Sequence, residues 1–282
     1  MTMGAASLLL AVVVGVWNGE WFPSGRAEHR AAPEIEQAAV SAAGKMLRSG
    51  LDQIDPGGKE GVVLCLNEVR DMETADALCR AIGRTNLSVT VVTGYRRRDR
   101  FDQQQDVIMT TLPSVEASWS LWRNAKKDTP PRGFAYARLV FSPSVTAAVY
   151  AVHLKSNYGA NTAERRAANM RKRAAAVDQL VALERPRRGF AQRPVVIAGD
   201  FNADPWRKEF AGEAIFAALD AAGFRNALAL LPPDGRGTHP SEKWGASALD
   251  HLMLRGVGVV GVPVIVPSKS LSDHDAVFVL VE

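Results

Sequence analysis

Short runs of apolar residues recur along the chain from its beginning to its end. Continuous runs such as residues 62–66 and 195–198 are typical of strands that are buried on both faces. Other runs are rich in Val, Thr, Tyr and Phe, which strands favour. Together they predict strands at residues 8–16, 62–66, 87–95, 106–110, 134–141, 147–154, 195–198, 249–254, 257–266 and 276–281.

Four amphipathic segments predict helices between these strands. The clearest is residues 161–184, because Asn161 is followed three residues later by Glu164 in a pattern that resembles a capping box. The other three are predicted to end at a glycine: residues 33–49 before Gly50, a helix capped by Asp71 and ending near Gly83, and residues 209–222 before Gly223.

Strands in both halves of the chain, with helices in the connections between them, predict a four-layer α/β sandwich. In this fold two mixed, mainly antiparallel β-sheets pack face to face with helices outside. The 282 residues contain no long polar linker and no repeat at solenoid spacing, so we expect one domain over residues 1–282. No Gly-rich loop joins a strand to a helix, which argues against a Rossmann or P-loop fold.

The surplus of positive charge bears on the function of the protein. The formal net charge of +4 and a pI near 9.2 favour polyanionic partners. The basic residues cluster at Arg96-Arg97-Arg98 with Arg100, at Arg165-Arg166, at Arg171-Lys172-Arg173 and at Arg185 with Arg187-Arg188. A single cluster is equally typical of a solvated helix face, whereas several together favour contact with phosphate groups.

The cysteines and the N-terminus bear on localisation. Cys65 and Cys79 provide no disulfide framework and fit a reducing compartment. Residues 7–17 are apolar like the core of a signal peptide, but no Lys or Arg precedes them and they are too short to span a membrane. We therefore predict a cytoplasmic protein without membrane insertion. Secretion is the alternative, and cleavage of the apolar run would remove a strand together with Asn18.

Polar residues of the types that bind Mg²⁺ and hydrolyse phosphate esters lie at the ends of the predicted strands. Gly199-Asp200-Phe201-Asn202 follows one apolar run, and Ser272-Asp273-His274 precedes another. The remaining strand-end residues are Asn18, Glu68, His153 and Asp250. Loops at the edge of a sheet commonly carry function because the sheet holds them rigidly.

Each of these residues also has a structural interpretation. Glu68 could help to cap the helix that begins near Asp71. His153 could be a structural histidine, and Asp250 could occupy a turn. The loop over residues 238–244 could face a substrate or form only a structured turn. The shared placement of the polar residues at strand ends makes coincidence a poor explanation for the whole set.

The sequence resembles the endonuclease/exonuclease/phosphatase superfamily, the DNase I-like metal-dependent phosphodiesterases. The segments that match its motifs, in order, are Trp17-Asn18, Asn67-Glu68-Val69, His153-Leu154-Lys155-Ser156, Gly199-Asp200-Phe201-Asn202, Leu249-Asp250-His251 and Ser272-Asp273-His274. They extend over residues 17–274. One departure is Asn67, since many members have Gln at this position. Asp106 is a candidate acidic partner for His153.

This resemblance implies a hydrolase that uses Mg²⁺ or Mn²⁺, which carboxylate and amide oxygens bind well. Glu68 is the expected main metal ligand, with Asn18 beside it. Asp273 is expected to bind the same ion or a second one. Asp200 would orient or deprotonate the attacking water, and Asn202 would position that water or a phosphate oxygen.

The resemblance also implies which residues contact the phosphate. His274 would donate a hydrogen bond or exchange a proton, while Asp250 would fix its tautomer and raise its pKa. His153 would donate to a non-bridging oxygen. Lys155 and Asn157 are expected to add further contacts.

The surplus of charge favours nucleic acid as the substrate. Arg96, Arg97 and Arg98 are expected to bind it, which predicts a nuclease that cleaves DNA, with RNA as a further substrate. The alternative within the same family is a phosphatase or phosphodiesterase that acts on inositol phosphates or phospholipid headgroups. A binding module without activity would lack catalytic groups, and every expected group is present. We expect a monomer with no stable protein partner.

Overall fold

The computed structural model describes residues 11–25, 30–97, 100–101, 104–185, 193–242 and 245–282. The strands are β1 (Val12–Phe22), β2 (Gly61–Val69), β3 (Ser88–Val92), β4 (Arg96–Arg97), β5 (Arg100–Phe101), β6 (Gln105–Thr110), β7 (Ser114–Leu121), β8 (Gly133–Ser142), β9 (Val145–His153), β10 (Val195–Asp200), β11 (Arg225–Asn226), β12 (Asp250–Arg255), β13 (Val259–Val266) and β14 (Ala276–Val281). The α-helices are α1 (Pro33–Ile54), α2 (Met72–Ile82), α3 (Ala163–Leu183) and α4 (Ile215–Ala221).

Twelve of the described strands form two six-stranded mixed sheets, in the orders β13-β14-β1-β2-β6-β3 and β11-β12-β10-β9-β8-β7, and β4 pairs with β5 separately. Their inner faces enclose an apolar core that includes Val14, Val149 and Leu252. The outer face of the first sheet packs against α1 and α2 around Leu64, and that of the second packs against α3 and α4 around Ile197. The predicted four-layer α/β sandwich is confirmed. Its central strands are continuous apolar runs because both of their faces are covered.

Two parallel strand pairs bring the polar residues at the strand ends together. In the first sheet β1 and β2 run parallel, with Asn18 opposite Asn67. In the second sheet β9 and β10 run parallel, with His153 opposite Asp200, and antiparallel β12 places Asp250 beside Asp200. The carboxyl ends of parallel strands meet at the same edge of a sheet. A hydrogen bond from Asn18 to Asp200 shows that the two edges lie at the same end of the sandwich.

Two predicted elements differ in where they end. Strand β1 continues past Asn18 to Phe22, and residues 8–10 of the predicted first strand lie outside the described part of the chain. Helix α1 passes through Gly50 and ends at Ile54. The glycine serves close packing, since a Cβ at this position would lie 2.1 Å from Cε2 of Phe278. The prediction that Gly50 ends the helix is therefore wrong.

The predicted helix over residues 209–222 is also largely wrong. Only Ile215–Ala221 is α-helical, and Lys208–Phe210 forms a separate 3₁₀ turn. Helix α3 is predicted correctly, but its cap is Thr162 rather than Asn161. The Thr162 hydroxyl accepts a hydrogen bond from a backbone N–H in the first turn, which satisfies one of the donors that a helix start leaves free.

The strands at the edges of the sheets are the least well predicted. β3 is confined to Ser88–Val92, which is shorter than the predicted strand over residues 87–95. β7 is absent from the predicted strands, and every one of its residues is exposed. Because an exposed edge strand does not need a continuous apolar run, its sequence lacks the pattern that marks the buried strands.

Cys65 and Cys79 are both free thiols, as predicted. Burial, with a further contribution from Asp106, raises the pKa of the Cys65 thiol far above its usual range. A thiol in this environment is unreactive and contributes apolar packing. None of the described helices combines the length and the apolar character needed to cross a membrane.

Replacing Gly50 by Ala is expected to destabilise the protein by about 1–3 kcal/mol, because the new methyl group overlaps the Phe278 ring. Chemical denaturation measures this change in the free energy of unfolding. In the Gly50→Ala background, Phe278→Leu should cost less stability than it does in the wild-type chain, since it relieves the overlap. A Gly50→Ala protein stabilised by the higher helix propensity of Ala would contradict this account.

Candidate active site

A cleft with a volume of ≈ 1530 Å³ opens where the strand ends of the two sheets converge. The predicted site residues that line it are Glu68, Arg96, His153, Lys155, Asn157, Asp200, Asn202, Asp273 and His274. Asn18 is hydrogen-bonded to Asp200, and Asp250 is hydrogen-bonded to His274, so both belong to the same cluster. Arg98 and the side chain of Arg97 lie outside the described part of the chain.

Glu68 and Asp200 place two buried carboxylates close together in this cleft. The Asn18 side chain connects them, since its Nδ2 donates to Asp200 Oδ2 at 3.0 Å and lies 3.5 Å from Glu68 Oε1. The Glu20 N–H donates to Asn18 Oδ1 at 3.0 Å and so orients this amide. The Trp21 N–H donates to Glu68 Oε2 at 3.1 Å. Each carboxylate is thus fixed by an amide donor at the end of β1.

Asp200 is fixed on both of its oxygens by Asn202. The Asn202 N–H donates to Oδ1 and its Nδ2 donates to Oδ2, both at 2.7 Å. Burial raises the pKa of Asp200 to about 7; His274 opposes this effect, while Asp250 and Glu68 add to it. A carboxyl group with a pKa near neutrality is suited to proton exchange at neutral pH.

His274 is paired with Asp250. Its Nδ1 lies 2.7 Å from Asp250 Oδ2, and its Nε2 faces the cleft at 4.0 Å from Asp200 Oδ2. The Thr238 hydroxyl donates to the same Asp250 oxygen at 2.8 Å. Burial alone would lower the pKa of His274, but Asp250, Asp200 and Asp273 raise it to about 10. The imidazole is therefore a cation at neutral pH, with Nδ1 donating to Asp250.

His153 differs from His274 in its charge. Its Nε2 lies 3.6 Å from Glu68 Oε1 and 3.5 Å from Asp200 Oδ2. Burial, with a contribution from the neighbouring charge of Arg132, holds the pKa of His153 well below its usual value. The ring is thus neutral, and among the described residues its buried Nδ1 has no hydrogen-bond partner.

Asp106 is not placed as the acidic partner of His153. Its carboxylate accepts hydrogen bonds from Asn67 Nδ2 at 2.7 Å and from the Tyr95 hydroxyl at 3.0 Å. Asn67 Oδ1 in turn accepts the Asp200 N–H at 2.9 Å. The short Asn67 amide therefore connects Asp106 to the backbone of Asp200. The two carboxylate oxygens of Asp106 accept hydrogen bonds from Asn67 and Tyr95 instead of from His153.

Asp273 lies at the open side of the cluster and is 48% exposed. Its Oδ2 is 3.4 Å from His239 Nε2, its Oδ1 is 3.7 Å from His274 Nε2, and its N–H donates to Glu20 Oε2 at 3.0 Å. Burial opposes ionisation of Asp273, but the contacts with His239 and His274 lower its pKa. No hydrogen bond within the described residues joins it to Glu68 or Asn18.

Three of the predicted substrate-binding residues, Arg96, Lys155 and Asn157, line the cleft. The Lys155 Nζ donates to the Ser156 carbonyl at 2.7 Å, and burial followed by the charge of Arg132 lowers its pKa. Asn157 faces inward in part, since its Oδ1 accepts from Arg173 Nη1 at 3.3 Å. Arg96 is exposed at the margin of the cleft.

Several residues of the cleft are absent from the sequence-based set. These are Glu20, Trp21, Tyr95, Arg132 and His239, all of which line the cleft. Backbone conformation distinguishes three of them, since φ lies between 47° and 65° at Glu20, Trp21 and Arg132. The same range includes the φ angles of two predicted site residues, Glu68 and Asn202. Such angles are strained for residues with a side chain and concentrate at functional sites. The sequence carries no local signal for them, except that His239 lies in the loop that could face a substrate or form only a structured turn.

The donor set fits a hard divalent cation. Glu68 and Asp200 are 8% and 1% exposed, and within the described ranges neither forms an ion pair with a Lys or Arg. Their neighbour His153 is neutral, so it does not balance their charge. Carboxylate and amide oxygens are the ligands that Mg²⁺ and Mn²⁺ prefer. The thiol of Cys65, which would suit a softer metal, is buried in the apolar core between the sheets and does not belong to this donor set.

Comparison with known families gives a match over most of the chain. The model described as the Endonuclease/Exonuclease/phosphatase family matches residues 38–274. That segment contains the Glu68, His153, Asp200, Asp250 and His274 positions. None of the curated protein sequences compared with the chain matches it.

Several solved structures share the fold along nearly their whole length. An endonuclease/exonuclease/phosphatase family protein from Leptotrichia buccalis has a TM-score of 0.63 at 13% identity, over 97% of this chain and 99% of that one. The human Nocturnin catalytic domain has a TM-score of 0.61 at 19% identity, over 98% and 96%. Truncated TDP2 from Caenorhabditis elegans has a TM-score of 0.60 at 14% identity, over 96% and 97%. Identities this low show a common fold.

Asp250→Asn is expected to lower the pKa of His274 from about 10 toward its ordinary value of 6.5, because a neutral amide no longer stabilises the imidazolium. At about pH 8 the wild-type ring would be charged, and the ring of the variant would carry less charge. Titration of the ring nitrogens by ¹⁵N NMR measures both values. Asp234→Asn, at an exposed residue, should leave the titration unchanged. A wild-type His274 that titrates near 6.5 would contradict the assigned pairing.

Proposed function

This chain belongs to the endonuclease/exonuclease/phosphatase family, and we propose that it is a nuclease that hydrolyses DNA, and also RNA, with Mg²⁺ or Mn²⁺. The observation that carries the proposal is the pair of buried carboxylates, Glu68 and Asp200, beside the cationic ring of His274. Hydrolysis of a phosphodiester needs an activated water and neutralisation of the charge on the phosphoryl oxygens. The two carboxylates suit the activation of water, and the cationic ring of His274 suits the neutralisation of charge on the phosphoryl oxygens.

Glu68 and Asn18 are the proposed metal ligands, and Asp273 is a proposed ligand of the same ion or of a second one. The metal ion, when bound, supplies positive charge that neutralises the phosphoryl oxygens. Support comes from the burial of Glu68 and Asp200, neither of which pairs with a Lys or Arg of the described residues, and from the oxygen-rich donor set. The Trp21 N–H keeps the Glu68 carboxylate oriented.

Asp200 is the proposed base that takes the proton of the attacking water. Its pKa near 7 keeps a large ionised fraction at neutral pH while leaving it basic enough to accept a proton. Asn202 holds both carboxylate oxygens in place and positions the water or a phosphate oxygen. As the water oxygen bonds to phosphorus, the bond from phosphorus to the departing ester oxygen breaks. The water proton passes to Asp200, and the departing oxygen takes a proton from solvent.

The two histidines are proposed to contact the phosphate in different charge states. His274 is held as a cation by Asp250, so it donates a charge-assisted hydrogen bond from Nε2 as negative charge develops. His153 is neutral and donates to a non-bridging oxygen. Lys155 and Asn157 are proposed to add further contacts with the phosphate.

Nucleic acid is the proposed substrate because basic residues, among them Arg96 and Lys155, line the cleft and the chain has a surplus of positive charge. Arg96, Arg97 and Arg98 are proposed to bind phosphates beyond the cleavage site. We propose that residues 1–282 act as one monomeric domain, since catalytic residues come from both sheets.

Purified protein incubated with supercoiled plasmid and Mg²⁺ or Mn²⁺ is expected to nick it, and EDTA should abolish the reaction. Asp200→Ala and His274→Ala should each reduce the rate by about 10²–10⁴, the usual contribution of an acid–base group. Asp234→Ala serves as the matched control because that side chain is exposed. Near-wild-type nicking by both site variants would contradict the assigned roles. Intact plasmid under every metal would contradict the nuclease and favour inositol phosphates or phospholipid headgroups.

Replacing Arg96, Arg97 and Arg98 together by Ala is expected to weaken DNA binding and to make it less dependent on salt. Each lost phosphate contact should reduce the slope of log affinity against log salt by about 0.9. Fluorescence anisotropy with a labelled duplex at several salt concentrations measures the slope. Arg80→Ala changes an exposed arginine on α2 and should have little effect. An unchanged slope in the triple variant would remove this segment from the binding surface.

A further inference from the structure

Tyr158 lies at the margin of the cleft with almost its whole side chain in solvent. It lines the cleft and is 95% exposed, the largest exposed fraction of any large apolar side chain among the described residues. Its neighbours Lys155 and Asn157 are the residues proposed to contact the phosphate. An aromatic ring presents a broad apolar face that gains free energy when a ligand covers it. The cleft therefore has an uncovered apolar face beside its proposed phosphate contacts.

Side chains of α3 fix the loop that carries Tyr158, which connects β9 to this helix. Three of them donate hydrogen bonds to backbone carbonyls of the loop: Asn169 to Ser156 at 2.9 Å, Arg173 to Lys155 at 2.6 Å and Arg166 to Ala160 at 3.2 Å. Arg173 is fully buried and is itself held by an ion pair with Glu213. A loop held at three points loses little conformational freedom when a ligand binds, so the position of Tyr158 is set in advance.

The backbone turns sharply at Tyr158. The Tyr158 N–H donates to Ser156 Oγ at 3.0 Å, and the Ala160 N–H donates to the Asn157 carbonyl at 2.9 Å. Gly159 has a φ of 72°, in the left-handed region that glycine adopts readily. These hydrogen bonds involve the backbone of the turn and leave the ring outside it. The ring therefore projects into solvent from a fixed backbone.

A nucleic-acid base is the ligand that suits an exposed ring at this place. A base is joined to its phosphate through one sugar, so a nucleotide whose phosphate contacts Lys155 or Asn157 has its base within reach of Tyr158. Stacking of bases on aromatic side chains is a common mode of single-strand binding. In a duplex both faces of each base are covered by neighbouring base pairs, and only an unpaired base offers a face to the ring.

We propose that Tyr158 stacks on an unpaired base of the substrate next to the phosphate that is hydrolysed, so that single-stranded segments are preferred over duplex. This inference rests on the proposed nuclease function and narrows its substrate class. Every base has a flat face, so the preference concerns the state of the strand and not its sequence. The nicks in a supercoiled plasmid would then lie in segments that have lost base pairing.

Two single-stranded oligomers that differ only in their bases test the stacking. One is a labelled oligothymidylate, and the other has the same length and label but consists of abasic units. Fluorescence anisotropy in EDTA measures the affinity for each without hydrolysis, and contacts with phosphate contribute equally to both. Tyr158→Ala should weaken the binding of oligothymidylate by roughly five- to a hundredfold, the range expected for one stacked base, and leave that of the abasic oligomer unchanged.

Two control variants make the result specific. Tyr158→Phe keeps the ring without its hydroxyl and should bind both oligomers as the wild type does. Ile35→Ala shortens an exposed apolar side chain on α1, outside the cleft, and should also bind them as the wild type does. Equal effects of Tyr158→Ala on the two oligomers would overturn the stacking, whether the affinity falls for both or for neither. A Tyr158→Phe protein that binds oligothymidylate as weakly as Tyr158→Ala would overturn it too.

Hydrolysis separates failure of this inference from failure of the proposed nuclease. With Mg²⁺ or Mn²⁺ the wild type should cleave a single-stranded oligonucleotide faster than the matching duplex, and Tyr158→Ala should reduce the ratio of the two rates toward one. Faster cleavage of the duplex by the wild type, or an unchanged ratio in Tyr158→Ala, would overturn the preference. If the protein cleaves neither substrate with any metal, the proposed nuclease function is contradicted, and anisotropy with the two oligomers still decides the stacking.

Discussion

The burial of negative charge at one end of the sandwich is the constraint on which the rest of the site depends. Glu68, Asp200 and Asp250 are each 8% exposed or less, and buried carboxylates are unfavourable unless donors or cations surround them. Amide donors from Asn18 and Asn202 hold Asp200, and a cationic imidazole pairs with Asp250. The strained backbone at Glu68 and Asn202 is tolerated because these contacts fix it.

The topology explains why such a cluster forms at all. A single parallel pair brings the ends of two strands together, and the structure contains one such pair in each sheet, β1 with β2 and β9 with β10. When the sheets pack, the two pairs meet at the same end. Each sheet then supplies both acidic residues and a histidine, because Glu68 and His274 adjoin strands of the first sheet, whereas His153, Asp200 and Asp250 belong to strands of the second.

Much of this arrangement is readable from the sequence because it depends on local patterns. Buried strands are marked by apolar runs, and Asp200, His153 and Asp273 are marked by their position next to such runs. Contacts between distant segments leave no such mark. The pairing of Asp106 with Asn67 and Tyr95 and the packing of Gly50 against Phe278 depend on how elements meet in three dimensions. The strand β7 is not predicted because its residues are exposed and therefore do not form a continuous apolar run.

The hydrogen bonds from Asp200 to Asn67 and from Asn18 to Asp200 cross the interface between the two sheets. Asn202 orients the proposed base from its own sheet, but the contacts from Asn18 and Asn67 form only once the opposing sheet has docked. A chain in which either sheet has folded alone would contain most of the native hydrogen bonds of that sheet and yet no competent site. The proposed activity would accordingly depend on the docking of the two sheets.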